Sequence, residues 1–388
     1  MRKDSMGHDL DFLAKQYEDI SLIAIYGMGK LGNELKNILI QMQFENRYSV
    51  VYVDQNYKKE KDIKSPEWLL EYGDNNTLVV LAIANDDIRN RLSMILLKKG
   101  FSKNNICDIN EFYNIILPII SVYYLDKIYL DSLQISVGDK CNLRCKDCTN
   151  FIPYMKETKN RTLDSLVEDV DALFKKIDYI RYMPIIGGET LLFEYLEDFV
   201  GYLLETYSDQ IGQLWVYTNG TLPDRLNGNL LDTLQRNSSK IHFFVSNYTH
   251  NNPKLTNQFK KFIERLEIEE ISYTYIDNFI WNDTGVSEMR KREHTDLGNF
   301  VSMCSQPCRD YENGKIYYCA IAKYAGKAFG IHDYKNEIEI CKLSNKGIVE
   351  FVLGYIDSGF LEICKYCNGY DQFVNNRVVE AGIQINNL

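Results

Sequence analysis

The sequence lacks an apolar run long enough to cross a lipid bilayer. Its longest apolar stretch, residues 115–125, contains Pro118 and Ser121 and is shorter than the roughly 20 residues that a membrane helix needs. The first five residues, MRKDS, are polar and do not start the apolar core of a secretory signal. We therefore expect a cytoplasmic protein with no membrane span.

The chain also lacks a surplus of basic residues. Its 388 residues include 44 Lys and Arg against 54 Asp and Glu, which gives a net charge of −10. Because nucleic-acid binding requires a basic face, we expect no nucleic-acid partner. The 28 Tyr and 18 Phe are therefore interpreted as packing residues. The length indicates two or three domains.

Disulfide bonds are not expected, although the chain has ten cysteines, because no signal directs it to an oxidising compartment. Cys141, Cys145 and Cys148 follow residues 133–137, which alternate apolar and polar like a strand. A short loop with these spacings can offer one thiolate to each of three irons of a [4Fe–4S] cluster and leave the fourth iron open. Structural zinc would require a fourth ligand nearby, and no further cysteine occurs before Cys304.

This spacing resembles that of the radical S-adenosylmethionine (SAM) enzymes, although Asp147 stands where the family usually has an aromatic residue. The resemblance implies that the open iron chelates SAM. It further implies that reductive cleavage of SAM yields a 5′-deoxyadenosyl radical, which abstracts hydrogen from a substrate. A flavodoxin- or ferredoxin-type electron donor is implied as well.

Three predicted strands, residues 180–186, 213–217 and 241–245, end in motifs that extend this resemblance in the family's order. Strands and helices that alternate about every thirty residues predict a parallel sheet with its site at the carboxyl edge. The resemblance implies a partial, six-unit (β/α) barrel. It also implies that five residues hold SAM: Gly187, Gly188, Glu189, Asn219 and Ser246.

The N-terminal region has the order of a dinucleotide-binding fingerprint. A predicted strand at 22–26 leads into a motif of three glycines at positions 27, 29 and 32. A helix and a second strand at 50–53, which ends at Asp54, follow. The pattern stops near Lys99, which predicts a small Rossmann-like domain. It resembles modules appended to bacterial glycan-biosynthesis enzymes. Such a domain would either hold a nucleotide or nucleotide sugar or be structural, and the residues for the first alternative are Gly27, Gly29, Gly32 and Asp54.

The C-terminal region contains six of the ten cysteines. Asn313-Gly314 predicts a hairpin turn between Cys304 and Cys319, and a two-residue gap separates Cys364 from Cys367. The pattern resembles the twitch, or truncated SPASM, extension, which implies a second [4Fe–4S] cluster. Zinc is the alternative, since four cysteines also suit that ion. The implied ligands are Cys304, Cys319, Cys364 and Cys367, with Cys308 as an alternative first ligand and Cys341 unassigned.

The expected fold class is therefore α/β. The expected domains are a Rossmann-like domain (1–115), a connector (116–130), the barrel (131–295) and the twitch-like extension (296–388). This order resembles proteins of bacterial surface-glycan pathways, which implies oxidation or epimerisation of a sugar or nucleotide-sugar carbon. Two alternatives stay open: maturation of a ribosomally made peptide, and a nucleotide-binding protein with structural zinc and no radical chemistry.

Overall fold

The structure is a computed structural model that describes residues 9–59, 61–277, 279–291, 304, 308–355, 360–369 and 377–385. The strands β1 to β16 are Leu22–Tyr26, Ser49–Val53, Ile63–Lys64, Thr77–Leu81, Ile106–Asp108, Tyr129–Ser132, Gln134–Ser136, Tyr179–Ile186, Ile211–Thr218, Ile241–Asn247, Tyr273–Asp277, Ile280–Asn282, Asp310–Glu312, Lys315–Tyr317, Glu337–Glu339 and Val378–Glu380. The helices α1 to α12 are Leu10–Lys15, Lys30–Gln41, Pro66–Tyr72, Asp86–Lys98, Ile109–Glu111, Leu117–Leu125, Leu163–Phe174, Leu196–Thr206, Gly228–Arg236, Thr256–Ile268, Ala320–Phe329 and Asn345–Leu353.

The N-terminal sheet has five parallel strands in the order β3-β2-β1-β4-β5. Its central strands are buried on both faces, as is usual when helices cover both sides of a parallel sheet. Ile23 and Ile25 face one apolar cluster, and Ala24 and Tyr26 face another. The expected end of the pattern near Lys99 was wrong. Strand β5 follows, and its three residues are too few to produce a periodic signal.

The predicted connector contains a buried helix. A π-helical turn at residues 112–116 joins α5 to α6, and α6 is apolar on nearly every side, which is typical of a helix with no solvent face. Ile119 and Val122 of α6 pack into the apolar core of the predicted barrel, which is built around the second sheet. Leu117 and Ile120 pack into the apolar core of the N-terminal sheet. The helix therefore belongs to both cores.

The second sheet has the order β11-β10-β9-β8-β7-β13-β14-β15, with β6 also paired to β8. Strands β7 to β11 are parallel, and α7 to α10 connect them. Strand β13 adds in parallel to the free edge of β7. The predicted hairpin turn is present, with positive φ at Asn313 (53°) and Gly314 (72°), as a type I′ turn requires.

The α/β prediction is confirmed, and parallel pairing places the carboxyl ends of β7, β8, β9 and β10 at one edge of the sheet. The predicted boundary between barrel and extension, at 295/296, lies outside the described residues. Among the described helices, none combines the length and apolarity needed to cross a membrane.

Candidate metal centre

The cysteine loop leaves the carboxyl end of β7 and lies directly beside the glycine turn after β8. The Gly188 N–H donates to the Gly138 carbonyl at 3.1 Å, and the Glu189 N–H donates to the Lys140 carbonyl at 2.8 Å. A Cβ on Gly188 would lie 2.4 Å from the Lys140 carbonyl oxygen. Because only glycine permits this approach, the turn and the loop depend on Gly188 for their contact. Gly187 adjoins the same loop, and its carbonyl accepts from Asn150 Nδ2 at 3.1 Å.

The three thiols of this loop are at least partly buried, and each sulfur is near N–H donors. Leu143 N–H donates to Cys141 Sγ at 3.4 Å, and Gln384 Nε2 donates to Cys145 Sγ at 3.2 Å. Burial raises the pKa of Cys148, and the backbone N–H groups of the turn that follows lower it to a smaller extent. Burial also raises the pKa of Cys141 to about 12 and that of Cys145 to about 11.

This donor set fits an iron–sulfur cluster. Bound thiolates carry negative charge, and N–H groups directed at the sulfurs are the outer contacts that stabilise and tune such clusters. Within the described ranges, no three His, Cys, Asp or Glu side chains are grouped tightly enough for a single metal ion. A four-iron cluster takes its thiolates at separate irons, so its ligands need not converge on one point.

Glu189 joins the ends of two strands. The residue is 2% exposed. Its Oε1 accepts from Thr218 Oγ1 at 2.6 Å and Leu191 N–H at 3.1 Å, and its Oε2 accepts from Asn219 N–H at 2.7 Å. A carboxylate has about four acceptor positions, so one remains on Oε2 for an ammonium group.

Asn219 links the turn after β9 to the cysteine loop. Its Nδ2 donates to Asn142 Oδ1 at 2.9 Å, and Asn142 Nδ2 donates to Thr221 Oγ1 at 2.7 Å. Thr221 N–H in turn donates to Asn219 Oδ1 at 3.0 Å. Sequence analysis missed Asn142 and Thr221, although their positions inside the cysteine loop and next to Thr218-Asn219-Gly220 were a usable signal.

Ser246 is the last but one residue of β10 and lies at the same edge, two residues before Tyr248. Burial raises the pKa of Tyr248, and the thiols of Cys145, Cys148 and Cys141 raise it further, whereas a hydrogen bond with Ser246 lowers it. Tyr248 therefore experiences the charge of all three thiols, and sequence analysis did not single it out. Asp147, at the position of the family's aromatic residue, is partly buried, and burial followed by Asp283 and Glu288 raises its pKa against the opposing effect of Lys146.

The C-terminal cysteines form a second group of thiols. Burial raises the pKa of Cys319 to about 12 and that of Cys364 to about 11, and the Cys304 thiol raises both further. Burial also raises the pKa of Cys367, and the thiols of Cys319, Cys364 and Cys304 add to this effect. The four predicted ligands are therefore close enough to influence one another electrostatically, although they are not grouped around a single metal-ion position in the described part of the chain. Cys308 packs against the apolar cluster that also contacts Cys319, Cys364 and Cys367. Cys341 is exposed.

Two polar residues that sequence analysis missed support this second group. Asn336 is 4% exposed, and its amide accepts from Cys319 N–H at 2.8 Å and donates to the Cys319 carbonyl at 3.1 Å. Arg309 lies over the Tyr318 ring at 3.9 Å and donates to the Tyr318 carbonyl at 2.8 Å. Its charge lowers the pKa of both Cys308 and Cys319, although burial raises both overall. Neither residue has a local motif that could have identified it.

In the N-terminal sheet, a carboxylate at the end of β2 closes the glycine turn that follows β1. Asp54 Oδ2 accepts from Met28 N–H at 2.8 Å, and Gly27 N–H donates to the Val53 carbonyl at 2.8 Å. A Cβ on Gly32 would lie 2.0 Å from the Gly27 carbonyl oxygen, whereas the position of Gly29 is open. Asp54 therefore fixes the glycine turn at the start of α2.

No family model and no curated protein matches the chain, but several solved structures do. BtrN in complex with AdoMet and 2-DOIA has 18% identity and a TM-score of 0.37, over 63% of this chain and 94% of BtrN. Polyhistidine-tagged anSMEcpe with bound AdoMet has 12% identity and a TM-score of 0.40, over 66% and 93%. Streptococcus suis SuiB bound to its precursor peptide SuiA has 15% identity and a TM-score of 0.27, over 55% and 56%. These neighbours are radical SAM enzymes.

Proposed function

We propose that the protein is a radical SAM enzyme whose first [4Fe–4S] cluster is held by Cys141, Cys145 and Cys148. The observation that supports this most strongly is the contact between the loop of three thiols and the Gly187-Gly188-Glu189 turn at the carboxyl edge of the sheet. When bound and reduced, the cluster supplies the electron that cleaves SAM into methionine and the 5′-deoxyadenosyl radical.

The chain's own residues bind and orient SAM. The remaining acceptor position on Glu189 Oε2 suits the methionyl ammonium group, and the carboxylate that holds it is itself fixed by three donors. Asn219 and Ser246 stand at the ends of the next two strands and offer polar contacts to the rest of SAM. Cys145 is only 8% exposed, so the loop excludes most water from that sulfur.

The second group of thiols, Cys304, Cys319, Cys364 and Cys367, would hold an auxiliary [4Fe–4S] cluster. Its apolar surroundings include Ile186 of β8 and Phe151 from the cysteine loop, so the same apolar cluster borders both candidate sites. A redox group at this position would accept or relay the electron that a substrate radical must lose. Cys308 remains the alternative to Cys304.

The substrate that we propose is a sugar or nucleotide sugar, oxidised or epimerised at one carbon. A groove of about 700 Å³ lies beside the cysteine loop and is lined by charged and amide side chains that include Asp139, Asn160 and Lys327. Asp139 Oδ1 is buried and has no hydrogen-bond partner within the described part of the chain. The charged and amide side chains can exchange hydrogen bonds with the hydroxyl groups of a sugar, although apolar side chains such as Phe329 also line the groove.

Anaerobic reconstitution with iron and sulfide tests the radical SAM assignment. The wild-type protein should bind iron and sulfide and release 5′-deoxyadenosine from SAM when dithionite is added. Cys145→Ala should abolish this release, whereas Cys341→Ala, which changes an exposed thiol outside both groups, should retain it. Colourless protein that contains zinc instead of iron would contradict the proposal.

The auxiliary site has a separate test. Cys364→Ala should lower the iron content and still release 5′-deoxyadenosine without substrate, but it should form no product. Candidate nucleotide sugars and short peptides are then compared by the deuterium that moves from labelled substrate into 5′-deoxyadenosine. Transfer from a peptide and not from any sugar would support the maturase alternative.

A further inference from the structure

The C-terminal segment, residues 377–385, ends against the cysteine loop. After β16, which pairs with β12, the chain forms an isolated antiparallel bridge between Gln384 and Cys145. Lys146 N–H donates to the Ile383 carbonyl at 2.7 Å, and Ile385 N–H donates to the Arg144 carbonyl at 2.8 Å. Residues almost 240 positions apart are thus paired backbone to backbone at the first group of thiols.

The amide of Gln384 has a determined orientation. Its Oε1 accepts from Arg144 N–H at 2.6 Å, and its Nε2 donates to Cys145 Sγ at 3.2 Å and to the Gly382 carbonyl at 2.7 Å. A flipped amide would direct its NH₂ at the Arg144 N–H and its oxygen at the sulfur and at the Gly382 carbonyl. The contacts with Arg144 N–H and with the Gly382 carbonyl would then lose their donor–acceptor match, so the N–H group is directed at the sulfur.

The segment that carries Gln384 is held from the loop after β10. Asn251 Nδ2 donates to the Ala381 carbonyl at 2.9 Å, and Asn252 Nδ2 donates to the Gly382 carbonyl at 2.8 Å. Gly382 has a φ of +76°, and a Cβ there would lie 2.8 Å from Tyr248 Cβ. The backbone before Gln384 is therefore fixed on two sides, and its amide is pre-organised.

We propose that Gln384 is a positioning residue that donates a hydrogen bond to the Cys145 thiolate and raises the reduction potential of the first cluster. This inference rests on the proposed function, because it requires the cluster on Cys145. Reduction adds negative charge to the cluster and its thiolates. An N–H group directed at a sulfur stabilises the reduced form more than the oxidised form, and little water reaches Cys145 to replace it.

Gln384→Glu tests the proposal because it keeps the side-chain shape and an oxygen for Arg144 N–H but removes the donor. Gln258→Glu, at an exposed position of α10, adds the same charge and is the matched control. The potential is measured by an EPR-monitored redox titration of the signal that changes when SAM is added, since that signal identifies the first cluster. We expect a shift to more negative potential in Gln384→Glu, and a shift of about 59 mV would correspond to a tenfold smaller reduced-to-oxidised ratio at a fixed potential.

Gln384→Met provides a second, uncharged variant in case Gln384→Glu binds less iron. It should also have a more negative potential than the wild-type protein. Equal potentials in Gln384→Met, the wild-type protein and Gln258→Glu would overturn the proposal. Failure of the proposed function is a separate result, because the wild-type protein itself would then bind no iron and release no 5′-deoxyadenosine.

Discussion

Among single residues, Glu189 combines structural and binding requirements. In the sequence, the resemblance to the radical SAM enzymes implied that Glu189 is one of the residues that hold SAM. In the structure its carboxylate also ties the end of β8 to the turn after β9 through Thr218 and Asn219. Burial raises its pKa against these hydrogen bonds. The residue is therefore costly to bury and is held in place by donors on three sides.

Glu189→Gln should weaken SAM binding at least tenfold while iron binding is retained. A hydrogen bond between charged partners contributes about 1.5–3 kcal/mol, and the amide also directs an NH₂ group at a backbone N–H. The measurement is anaerobic titration calorimetry of SAM against the reconstituted protein. Glu194→Gln, an exposed neighbour, is the control. Wild-type affinity in Glu189→Gln would show that the carboxylate serves only the fold.

Among the secondary-structure elements, α11 is joined to the sheet by ion pairs that are largely buried. Lys323 is 2% exposed in its side chain and pairs with Asp310 and Glu312, and Lys327, one turn later, pairs with Glu312 and Asp139. Burial alone would raise the pKa of Glu312, but the two lysines hold it at about 2. A carboxylate whose pKa is lower in the folded protein than in the unfolded chain stabilises the fold at pH values above its ordinary pKa. This contribution is lost as the pH falls from that value towards 2.

Lys323→Met should lower the free energy of unfolding by about 3–5 kcal/mol, because it leaves Asp310 buried without its partner. The difference from wild type is determined between pH 8 and pH 5, where Glu312 of the wild-type protein remains ionised. Urea unfolding followed by circular dichroism measures it. Lys342→Met removes a lysine that is 70% exposed and pairs with Glu339, and it should leave stability almost unchanged because solvent screens exposed ion pairs. A similarly small effect of Lys323→Met would refute the buried-network argument.

At the scale of the whole molecule, the N-terminal sheet is attached to the barrel at the end far from the cysteine loop. Arg181, near the start of β8, donates to Glu34 of α2 at 2.7 Å and to Asp131 of β6 at 3.0 Å. Its guanidinium lies 3.6 Å from the centre of the Tyr113 ring. This contact is at the amino end of β8, whereas the thiols are at the carboxyl end.

Arg181→Met should weaken the attachment of the N-terminal sheet without disturbing the cysteine loop, since it removes the common partner of Glu34 and Asp131. Hydrogen–deuterium exchange should increase in peptides that cover residues 22–41 and 113–131. It should be unchanged in peptides that cover 141–148. Arg236→Met, at an exposed position of α9, should change none of these peptides. Equal exchange in Arg181→Met and wild type would mean that the apolar core alone attaches the domain.

The sequence by itself determined the alternation of strands and helices, the Asn313-Gly314 hairpin and the spacing of the cysteines, because periodicity and spacing are relations between near neighbours along the chain. Tertiary structure alone decided that β5 extends the N-terminal sheet. It also decided which distant groups meet: Gln384 with Cys145, Asn336 with Cys319, and Lys323 with Asp310. These contacts depend on how separate elements pack. A donor or a countercharge for a buried group can come from any segment that packing brings within about 3 Å.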